Sequence, residues 1–415
     1  MKIAIIGAGP SGLVSSKYSL DEGHEIIVYE QSGNIGGTWM YTDKVGVDEY
    51  GFPVHSSMYK GLMSNVPKEI MTFLDFPYPE QMNKSYIPQE QVLNYFNSYA
   101  KTFNLKQYIK FHKRVTEVKP QPDDKWVVTV RDAKTKIEES ENFDAVFICS
   151  GHYNTPNTPE IPGQNKFKGR QCHSHDYRNP EPFQNQKVLV IGGSFSGTDI
   201  AELISKTTKK TVLCYRTTPT VKISENISMK AGISEITETG AIFGDGSKED
   251  FDTILYCTGY NYYFPFLSKE CEITINNNWV RPLYKHIVNV AHPTMCFIGI
   301  PFYLCEIPAL DIEARFALAA IGKKFALPSA DEMLKELEQK NLTRIEKGLP
   351  ECHTHKIIGF VSQEQYFNEL STVANIRPMP LVFNKILDWA ENTDKRDFDI
   401  CIKIIDEENF IKYRC

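Results

Sequence analysis

Residues 2–12 read KIAIIGAGPSG, a short apolar strand followed by a glycine-rich turn and the start of a helix. In the pattern Gly7-x-Gly9-x-x-Gly12, the first glycine permits a tight turn and the second lets a pyrophosphate approach the backbone. The third lets the helix pack on the strand, and the helix N-terminus attracts phosphate through its N–H groups and dipole. The stretch therefore predicts a dinucleotide-binding βαβ unit; a glycine turn without a ligand is the alternative.

An acid and a second glycine motif follow this turn. The next predicted strand, residues 25–29, ends at Glu30, where a carboxylate can accept hydrogen bonds from both hydroxyls of a ribose. Residues 36–39 read GGTW. Paired glycines allow close approach of a ligand and Trp39 could cover a flat ring, although an ordinary loop with a half-buried tryptophan is the alternative. The expected contacts of the first nucleotide are Gly7, Gly9, Pro10, Ser11, Gly12, Glu30, Gly36, Gly37, Thr38 and Trp39.

A second strand, glycine turn and helix begin at residue 187, with the turn GGSFSG at residues 192–197. Ser194 replaces the second glycine, so the site must be slightly wider there or the hydroxyl must bind the phosphate. The following strand, residues 211–215, ends in Arg216 instead of an acid. Because arginine pairs with a ribose 2′-phosphate that a carboxylate would repel, the site favours NADPH over NADH, unless Arg216 is only a surface residue. The expected contacts here are Ser194, Phe195, Ser196, Gly197 and Arg216.

Strands that alternate with helices around both glycine motifs predict the α/β class with parallel, doubly wound sheets. A proline-rich stretch at residues 154–163 is typical of a hinge. We therefore expect two Rossmann-like dinucleotide-binding domains, the NADPH domain being inserted into the FAD domain. The expected boundaries are residues 1–163 for the first part of the FAD domain, 164–292 for the NADPH domain and 293–415 for the second part of the FAD domain.

Two dinucleotide folds arranged in this way describe a large class of flavoproteins, which includes the disulfide reductases. Those enzymes need a redox-active cysteine pair soon after the first glycine motif. The first cysteine of this chain is Cys149, so a disulfide reductase is excluded.

The composition limits the partners. A net charge of -6 and a pI near 6.0 provide no basic face for nucleic acid or an anionic lipid surface. No signal peptide is recognisable, and polar residues and prolines interrupt the most apolar stretch, residues 287–310, so no membrane association is expected. The 10 cysteines lack CxxC or zinc spacing, which argues against a metal site and for a reducing, cytoplasmic setting. Sequons at Asn83, Asn226 and Asn341 leave secretion as the alternative.

Phe167, Gly169, His173 and Tyr177 form the pattern FxGxxxHxxxY between the two glycine motifs. This pattern resembles the identifying signature of flavin-containing monooxygenases. The similar signature of Baeyer–Villiger monooxygenases ends in Trp, so Tyr177 favours oxygenation of nitrogen or sulfur. In the family the motif acts more as a linker than as a set of proton donors.

The resemblance extends over most of the chain. Asn65, within SNVPK, matches the active-site asparagine segment, and SGHY at residues 150–153 and CTGY at 257–260 match the segments that link the domains. The resemblance implies Asn65 as the catalytic residue and as a cofactor contact, and Ser150 and Gly151 as further cofactor contacts. An asparagine that only stabilises a turn is the alternative for Asn65. We also expect a helix that begins near Asp311 to direct its N-terminus at the flavin.

The family's chemistry supplies the expected function. The resemblance implies that NADPH reduces FAD, that O2 then forms a C4a-hydroperoxide, and that a tertiary amine or sulfide takes up the distal oxygen. Residues 258–266 are similar to insect members, some of which N-oxygenate plant pyrrolizidine alkaloids for detoxification. A Baeyer–Villiger or N-hydroxylating monooxygenase and a non-oxygenating NADPH–flavin electron-transfer protein remain as alternatives. The sequence leaves the substrate and the oligomeric state open, including a homo-oligomer.

Overall fold

The structure is a computed structural model that describes residues 1–219, 222–357, 359–393 and 398–414. The helices are α1 Pro10–Asp21, α2 Gln89–Thr102, α3 Phe195–Ser205, α4 Glu306–Ile321, α5 Ala330–Glu346, α6 Gly359–Ala374 and α7 Leu381–Glu391. The strands are β1 Lys2–Ile6, β2 Glu25–Tyr29, β3 Ile109–Lys110, β4 Lys113–Gln121, β5 Lys125–Asp132, β6 Glu138–Phe143, β7 Ala145–Ile148, β8 Arg170–His173, β9 Lys187–Ile191, β10 Lys210–Tyr215, β11 Ile227–Ala231, β12 Ile233–Ile236, β13 Gly240–Phe243, β14 Lys248–Asp250, β15 Thr253–Tyr256, β16 Thr274–Asn276, β17 Trp279–Arg281, β18 Leu283–Tyr284, β19 Val288–Asn289, β20 Met295–Phe297, β21 Ile400–Ile404 and β22 Phe410–Arg414.

The chain divides into two compact units. The first unit comprises Met1–Met40, Val66–His152 and Tyr262–Cys415, and the second comprises Tyr41–Asn65 and Tyr153–Asn261. Because the chain leaves the first unit and returns to it, the expected insertion of one α/β domain into another is confirmed.

The first unit is built on a seven-stranded sheet with the order β18-β19-β20-β7-β1-β2-β3. Strand β1 lies in the middle and pairs in parallel with β2 on one side and β7 on the other. Its residues Ile3, Ala4 and Ile5 have no exposed surface, which is typical of a parallel strand covered on both faces. Helix α1 begins at Pro10, where the missing N–H removes no intrahelical hydrogen bond.

The second unit repeats this plan. Its sheet has the order β11-β10-β9-β15-β8, and every pairing in it is parallel. Strand β9 is central and apolar, as β1 is in the first unit, and it leads into the second glycine turn and α3. A small antiparallel sheet of β12, β13 and β14 packs beside it. The predicted α/β fold class is thus confirmed in both units.

The unit borders differ from the expected domain boundaries at three places. Residues 153–163, expected in the first domain, belong to the second unit. Residues 262–292 belong to the first unit, because β18 and β19 join the antiparallel edge of its sheet through β20. The segment Tyr41–Asn65 belongs to the second unit, although it directly follows the first glycine motifs. It has no regular helix or strand, so no periodicity in the sequence could assign it.

Two further expectations concern the cysteines and the membrane. Cys149, Cys257 and Cys296 are buried and carry free thiols, as their apolar surroundings predict. Among the described residues, no helix combines the length and the apolar character that crossing a membrane requires.

Candidate active site

The first glycine turn lies at the carboxyl end of β1, where parallel α/β sheets bind their ligands. Gly7 has φ +107°, and a Cβ there would lie 2.5 Å from the carbonyl oxygen of Cys149. A Cβ on Gly12 would lie 1.9 Å from the oxygen of Gly7. Both glycines are therefore required by the packing of the protein itself.

Gly9 is different, because the protein alone leaves space for a side chain. Its φ is -75°, and the nearest atoms to an added Cβ belong to Gly37, at 3.5 and 3.7 Å. Gly9 also precedes the first residue of α1, where helical N–H groups point outward. A ligand that approaches this backbone closely would explain why no side chain is present.

Glu30 links the glycine turn to the loop after β2. Its side chain is buried, and its two carboxylate oxygens accept hydrogen bonds from the N–H groups of Ala8 at 2.9 Å and Ser32 at 2.8 Å. Each oxygen retains a further lone pair, so the carboxylate can also accept hydrogen bonds from two ribose hydroxyls. The geometry suits the predicted role and adds a structural one.

The GGTW motif at residues 36–39 packs directly on the first glycine turn. The N–H of Gly36 donates to the carbonyl oxygen of Ala8 at 3.0 Å, and a Cβ on Gly37 would lie 3.1 Å from the Cα of Gly9. Trp39 is half-buried and its ring centroid lies 6.4 Å from that of Phe96. Residues 36–39 therefore extend the surface that the glycine turn forms.

The remaining residues predicted at this site lie around the same sheet edge. Ser11 is buried and donates a hydrogen bond to the carbonyl oxygen of Cys149, at the end of β7. Ser150 and Gly151 follow that residue, the former half-buried and the latter exposed with φ +71°. Pro10 and Thr38 are half-buried beside these groups.

The second unit reproduces the first glycine turn in atomic detail. Gly192 has φ +122°, and a Cβ there would lie 2.2 Å from the carbonyl oxygen of Cys257. A Cβ on Gly197 would lie 1.7 Å from the oxygen of Gly192. These contacts correspond to those of Gly7 with Cys149 and of Gly12 with Gly7, so the two turns have the same construction.

The two turns differ at the second position of the glycine pattern and at the end of the next strand. Ser194 occupies the place of Gly9 and precedes the first residue of α3, where Phe195 is 41% exposed and Ser196 half-buried. Arg216 is exposed directly after β10, whose end lies against the turn through the hydrogen bond from Gly192 N–H to the carbonyl oxygen of Cys214. An exposed guanidinium therefore stands where the first turn has its buried carboxylate.

Asn65 ends the segment Tyr41–Asn65 and is exposed, between the buried Ser64 and the half-buried Val66. Within the part of the chain that the structure describes, its amide forms no hydrogen bond that would stabilise a turn. The amide is therefore available to a ligand.

The signature FxGxxxHxxxY has a structural role. Phe167 and Tyr177 are buried, and a Cβ on Gly169 would lie 2.5 Å from the oxygen of Asp252. His173 Nδ1 accepts a hydrogen bond from the N–H of His175, and burial lowers the pKa of His173 to about 4. A ring that stays neutral and bonded in this way is unsuited to donating protons, in agreement with a linker.

The prediction that a helix begins near Asp311 is wrong. Helix α4 begins at Glu306, because Pro308 falls in its first turn, where a proline removes no hydrogen bond. Asp311 is fully buried and accepts hydrogen bonds from Tyr18 Oη, Leu74 N–H and Arg315 Nε at 2.8 to 3.0 Å. It joins α1 to α4 and does not mark the helix N-terminus as a cofactor contact.

A buried polar network behind α4 has no counterpart in the sequence-based predictions. Glu313 accepts hydrogen bonds from Gly299 N–H at 2.7 Å and Tyr366 Oη at 2.8 Å, and burial raises the pKa of Glu313 to about 7. His152 Nδ1 donates to the carbonyl oxygen of Gly299 at 2.8 Å. The network fixes the loop between β20 and α4. The one signal in the sequence was Glu313 itself, a charged residue in a largely apolar helix.

Two more histidines, His286 and His355, extend this network. His355 Nε2 accepts the N–H of Val280 at 3.0 Å, so its proton must be on Nδ1. That Nδ1–H donates to His286 Nδ1 at 2.9 Å, which places the proton of His286 on Nε2. Both rings are therefore neutral in the folded protein.

We expect the free energy of unfolding to fall as the pH drops below 6.5. Burial lowers the pKa of His286 to about 3, that of His152 to about 4 and that of His355 well below its usual value. The unfolded chain then binds more protons than the folded chain, at a loss of about 1.4 kcal/mol per pH unit for each ring. Glu313, with its raised pKa, has the opposite effect below pH 7 and offsets one ring.

Urea unfolding of the holoprotein at a series of pH values measures this slope. His286→Gln should reduce this slope by the contribution of one imidazole ring, whatever the effect of the substitution on stability at neutral pH. His292→Gln is the control, because this ring is only half-buried and bonds the carbonyl oxygen of Glu270. An equal slope in wild type and His286→Gln would contradict the prediction.

Two glycine turns of the same construction, each at the carboxyl edge of a parallel sheet, define a protein with two dinucleotide-binding folds. A family model described as flavin-binding monooxygenase-like matches residues 1–222 and 213–388. The chain belongs to the family of flavin-containing monooxygenases and is an enzyme of that class, which confirms the resemblance found in the sequence.

Individual relatives agree with this assignment. Senecionine N-oxygenase of Tyria jacobaeae is 35% identical, over 99% of this chain and 91% of that protein. Flavin-containing monooxygenase FMO GS-OX4 of Arabidopsis thaliana is 36% identical, over 86% of this chain and 81% of that protein. The solved structure of S-allyl-L-cysteine S-oxygenase from Allium sativum has a TM-score of 0.89 at 31% identity and covers 96% of this chain and 95% of that chain.

Proposed function

We propose that the enzyme oxygenates a nucleophilic nitrogen or sulfur of a small molecule with O2 and NADPH, using FAD bound at the first glycine turn. With a tertiary amine, one oxygen atom of O2 is added to the nitrogen to give the N-oxide and the other leaves as water, while NADPH and one proton are consumed and NADP⁺ is released. The observation that carries the proposal is the repeat of one turn geometry with Glu30 beside the first turn and Arg216 beside the second.

The residues of the first turn fit FAD. Gly9 and Gly37 form a bare strip of backbone, α1 presents its N-terminus to a pyrophosphate, and Glu30 keeps lone pairs for a ribose. The flavin supplies the transfer of electrons from NADPH to O2, which side chains cannot perform. We assign to its binding Gly7, Gly9, Pro10, Ser11, Gly12, Glu30, Gly36, Gly37, Thr38, Trp39, Ser150 and Gly151.

The second turn fits NADPH, with Ser194, Phe195, Ser196, Gly197 and Arg216 as its contacts. Ser194 places a hydroxyl where the first turn has a bare Cα, so it can donate a hydrogen bond to a phosphate oxygen. The exposed guanidinium of Arg216 can pair with a 2′-phosphate in the forked geometry that such groups favour. The exposed amide of Asn65 can bond the nucleotide or the transferred oxygen without supplying an acidic proton.

The relatives guide the choice of substrate. One acts as a senecionine N-oxygenase and another as an S-allyl-L-cysteine S-oxygenase, so nitrogen and sulfur are both accepted within the family. We propose a tertiary-amine alkaloid, because the senecionine N-oxygenase matches almost the whole chain.

NADPH oxidation with a panel of substrates tests the function. Senecionine, simple tertiary amines, S-allyl-L-cysteine and cyclic ketones are compared, with products identified by mass and hydrogen peroxide measured in parallel. An N-oxide from the alkaloid is the expected product. Sulfoxide as the only product would mean that the substrate is a sulfide and not an alkaloid. A lactone would indicate a Baeyer–Villiger enzyme, and hydrogen peroxide without any oxygenated product would contradict an oxygenase.

We expect Arg216→Ala to raise the KM for NADPH about tenfold and to leave the KM for NADH within about twofold, since one charge-assisted pair with the 2′-phosphate contributes about 1.5 kcal/mol. Steady-state kinetics with both nucleotides measure the ratio. Arg131→Ala is the matched control, because Arg131 is an exposed arginine in β5 of the first unit and pairs with Glu138. Equal changes in both KM values would show that Arg216 does not bind the 2′-phosphate of NADPH.

A further inference from the structure

The segment Tyr41–Asn65 is held by individual contacts and not by regular secondary structure. It contains no helix or strand, and yet it belongs to the second unit and ends at Asn65. Because hydrogen bonds of regular structure do not fix this backbone, a few specific contacts must determine where Asn65 lies.

Arg178 makes the most extensive of these contacts. Its guanidinium donates to the carbonyl oxygen of Lys44 from Nε at 3.2 Å and from Nη2 at 2.9 Å, and to that of Ser56 from Nη2 at 3.0 Å. Nη1 donates to the carbonyl oxygens of His175 at 2.7 Å and Tyr177 at 3.0 Å. The side chain thus joins two places in the segment to the backbone that follows the signature motif.

Arg178 carries a charge in a buried position, which is unusual. The residue is 6% exposed, and burial lowers the pKa of its guanidinium, although the nearby charge of Asp176 acts in the opposite direction. A buried cation is costly, and five hydrogen bonds to backbone oxygens offset this cost together with the charge of Asp176. The planar fork of arginine can satisfy four carbonyl groups at once, which a lysine ammonium cannot.

Neighbouring contacts hold the same segment. The N–H of Lys60 donates to the carbonyl oxygen of Arg178 at 2.8 Å, and His175 Nε2 lies 3.0 Å from the carbonyl oxygen of Val54. Tyr59 Oη donates to Asp199 in α3 at 2.7 Å. These contacts anchor the backbone up to Lys60, shortly before Asn65.

We infer that Arg178 is a positioning residue for the oxygenation reaction: it fixes the segment Tyr41–Asn65 so that the amide of Asn65 is presented at the site. The inference rests on the proposed function of Asn65. Loss of the clamp leaves both glycine turns intact, because none of its bonds involves them. The defect should therefore appear in the use of O2 and not in the binding of FAD or NADPH.

The test compares Arg178→Lys and Arg178→Met with Arg170→Lys, which changes an exposed arginine of the same unit. In both Arg178 variants we expect full flavin content, a KM for NADPH within about twofold of wild type, and at least about fivefold less product per NADPH oxidised. Tyr59→Phe, which removes only the bond to Asp199, should give a smaller change in the same direction. Unchanged coupling in a flavin-loaded Arg178 variant would overturn the inference.

Hydrogen exchange separates this inference from the proposed function. Amides of residues 44–65 should exchange at least about tenfold faster in both Arg178 variants than in wild type and Arg170→Lys, whether or not any substrate is turned over. Absence of product in the wild type would contradict the proposed function alone. Unchanged exchange in residues 44–65 would refute the clamp itself, and Arg178→Lys, the milder change, provides this measurement if Arg178→Met does not fold.

Discussion

Gly9→Ala is expected to weaken FAD binding at least about 100-fold while changing the free energy of unfolding of the flavin-free chain by less than about 1 kcal/mol. The protein leaves room for the new methyl group, whose nearest neighbour would be Gly37 at 3.5 Å, and φ at Gly9 is an ordinary -75°. A pyrophosphate at van der Waals distance from this Cα would instead be displaced. Loss of two charge-assisted hydrogen bonds to it corresponds to about 3 kcal/mol or more.

Flavin fluorescence during titration of the flavin-free protein measures the affinity, and urea unfolding measures the stability. Gly12→Ala is the contrasting variant, because a Cβ there would lie 1.9 Å from the oxygen of Gly7. It should cost about 3 kcal/mol of stability through steric strain alone. Undiminished FAD affinity in a folded Gly9→Ala protein would mean that the pyrophosphate does not lie at this turn.

The two turns also explain how one fold can select two nucleotides. Their buried glycines are equivalent in position and in the carbonyl oxygens they contact, so these residues only maintain the turn. Under the proposed function, selectivity comes from the positions at which the turns differ: Gly9 against Ser194, and Glu30 against Arg216. A carboxylate in one turn and a guanidinium in the other reverse the preferred charge at the ribose 2′-position.

The fold and the two turns were predictable because their signals are local. Apolar strands such as residues 2–6 and 187–191, each followed at once by a glycine pattern, encode strand, turn and helix within a few residues. The positions of Arg216 and Glu30 beside the turns could be predicted for the same reason, since each lies at the end of the next strand.

The errors and omissions concern contacts between residues distant in sequence. The start of α4, predicted near Asp311 and found at Glu306, is a local exception, because Pro308 is accommodated in the first helical turn. The pairing of β18 and β19 with β20 and the bonds of Glu313 with Gly299 have no local pattern. Arg178 is an ordinary arginine in the sequence, and only the structure shows that it is buried against a segment far from it.

Asn65→Ala is expected to reduce the rate of product formation about 100-fold, while NADPH is still oxidised and O2 is released as hydrogen peroxide. An amide that bonds the bound nucleotide or the transferred oxygen stabilises the charge that develops during transfer, and loss of one such donor at an active site costs about 3 kcal/mol. Because Asn65 is exposed and its amide forms no hydrogen bond within the described residues, the substitution should leave stability unchanged. Product, peroxide and NADPH consumption are measured in the same reaction.

Two further variants decide whether the amide itself is responsible. Asn142→Ala removes an exposed asparagine from β6 and should behave as wild type. Asn65→Asp retains the shape but replaces the donor with an anion, so it should lose product formation at least as completely as Asn65→Ala. Full coupling in Asn65→Ala would exclude Asn65 from the reaction. If Asn65→Ala loses product formation but Asn65→Asp keeps full activity, the reaction needs a hydrogen-bond acceptor at this position. Residue 65 would then accept a hydrogen bond and not donate one.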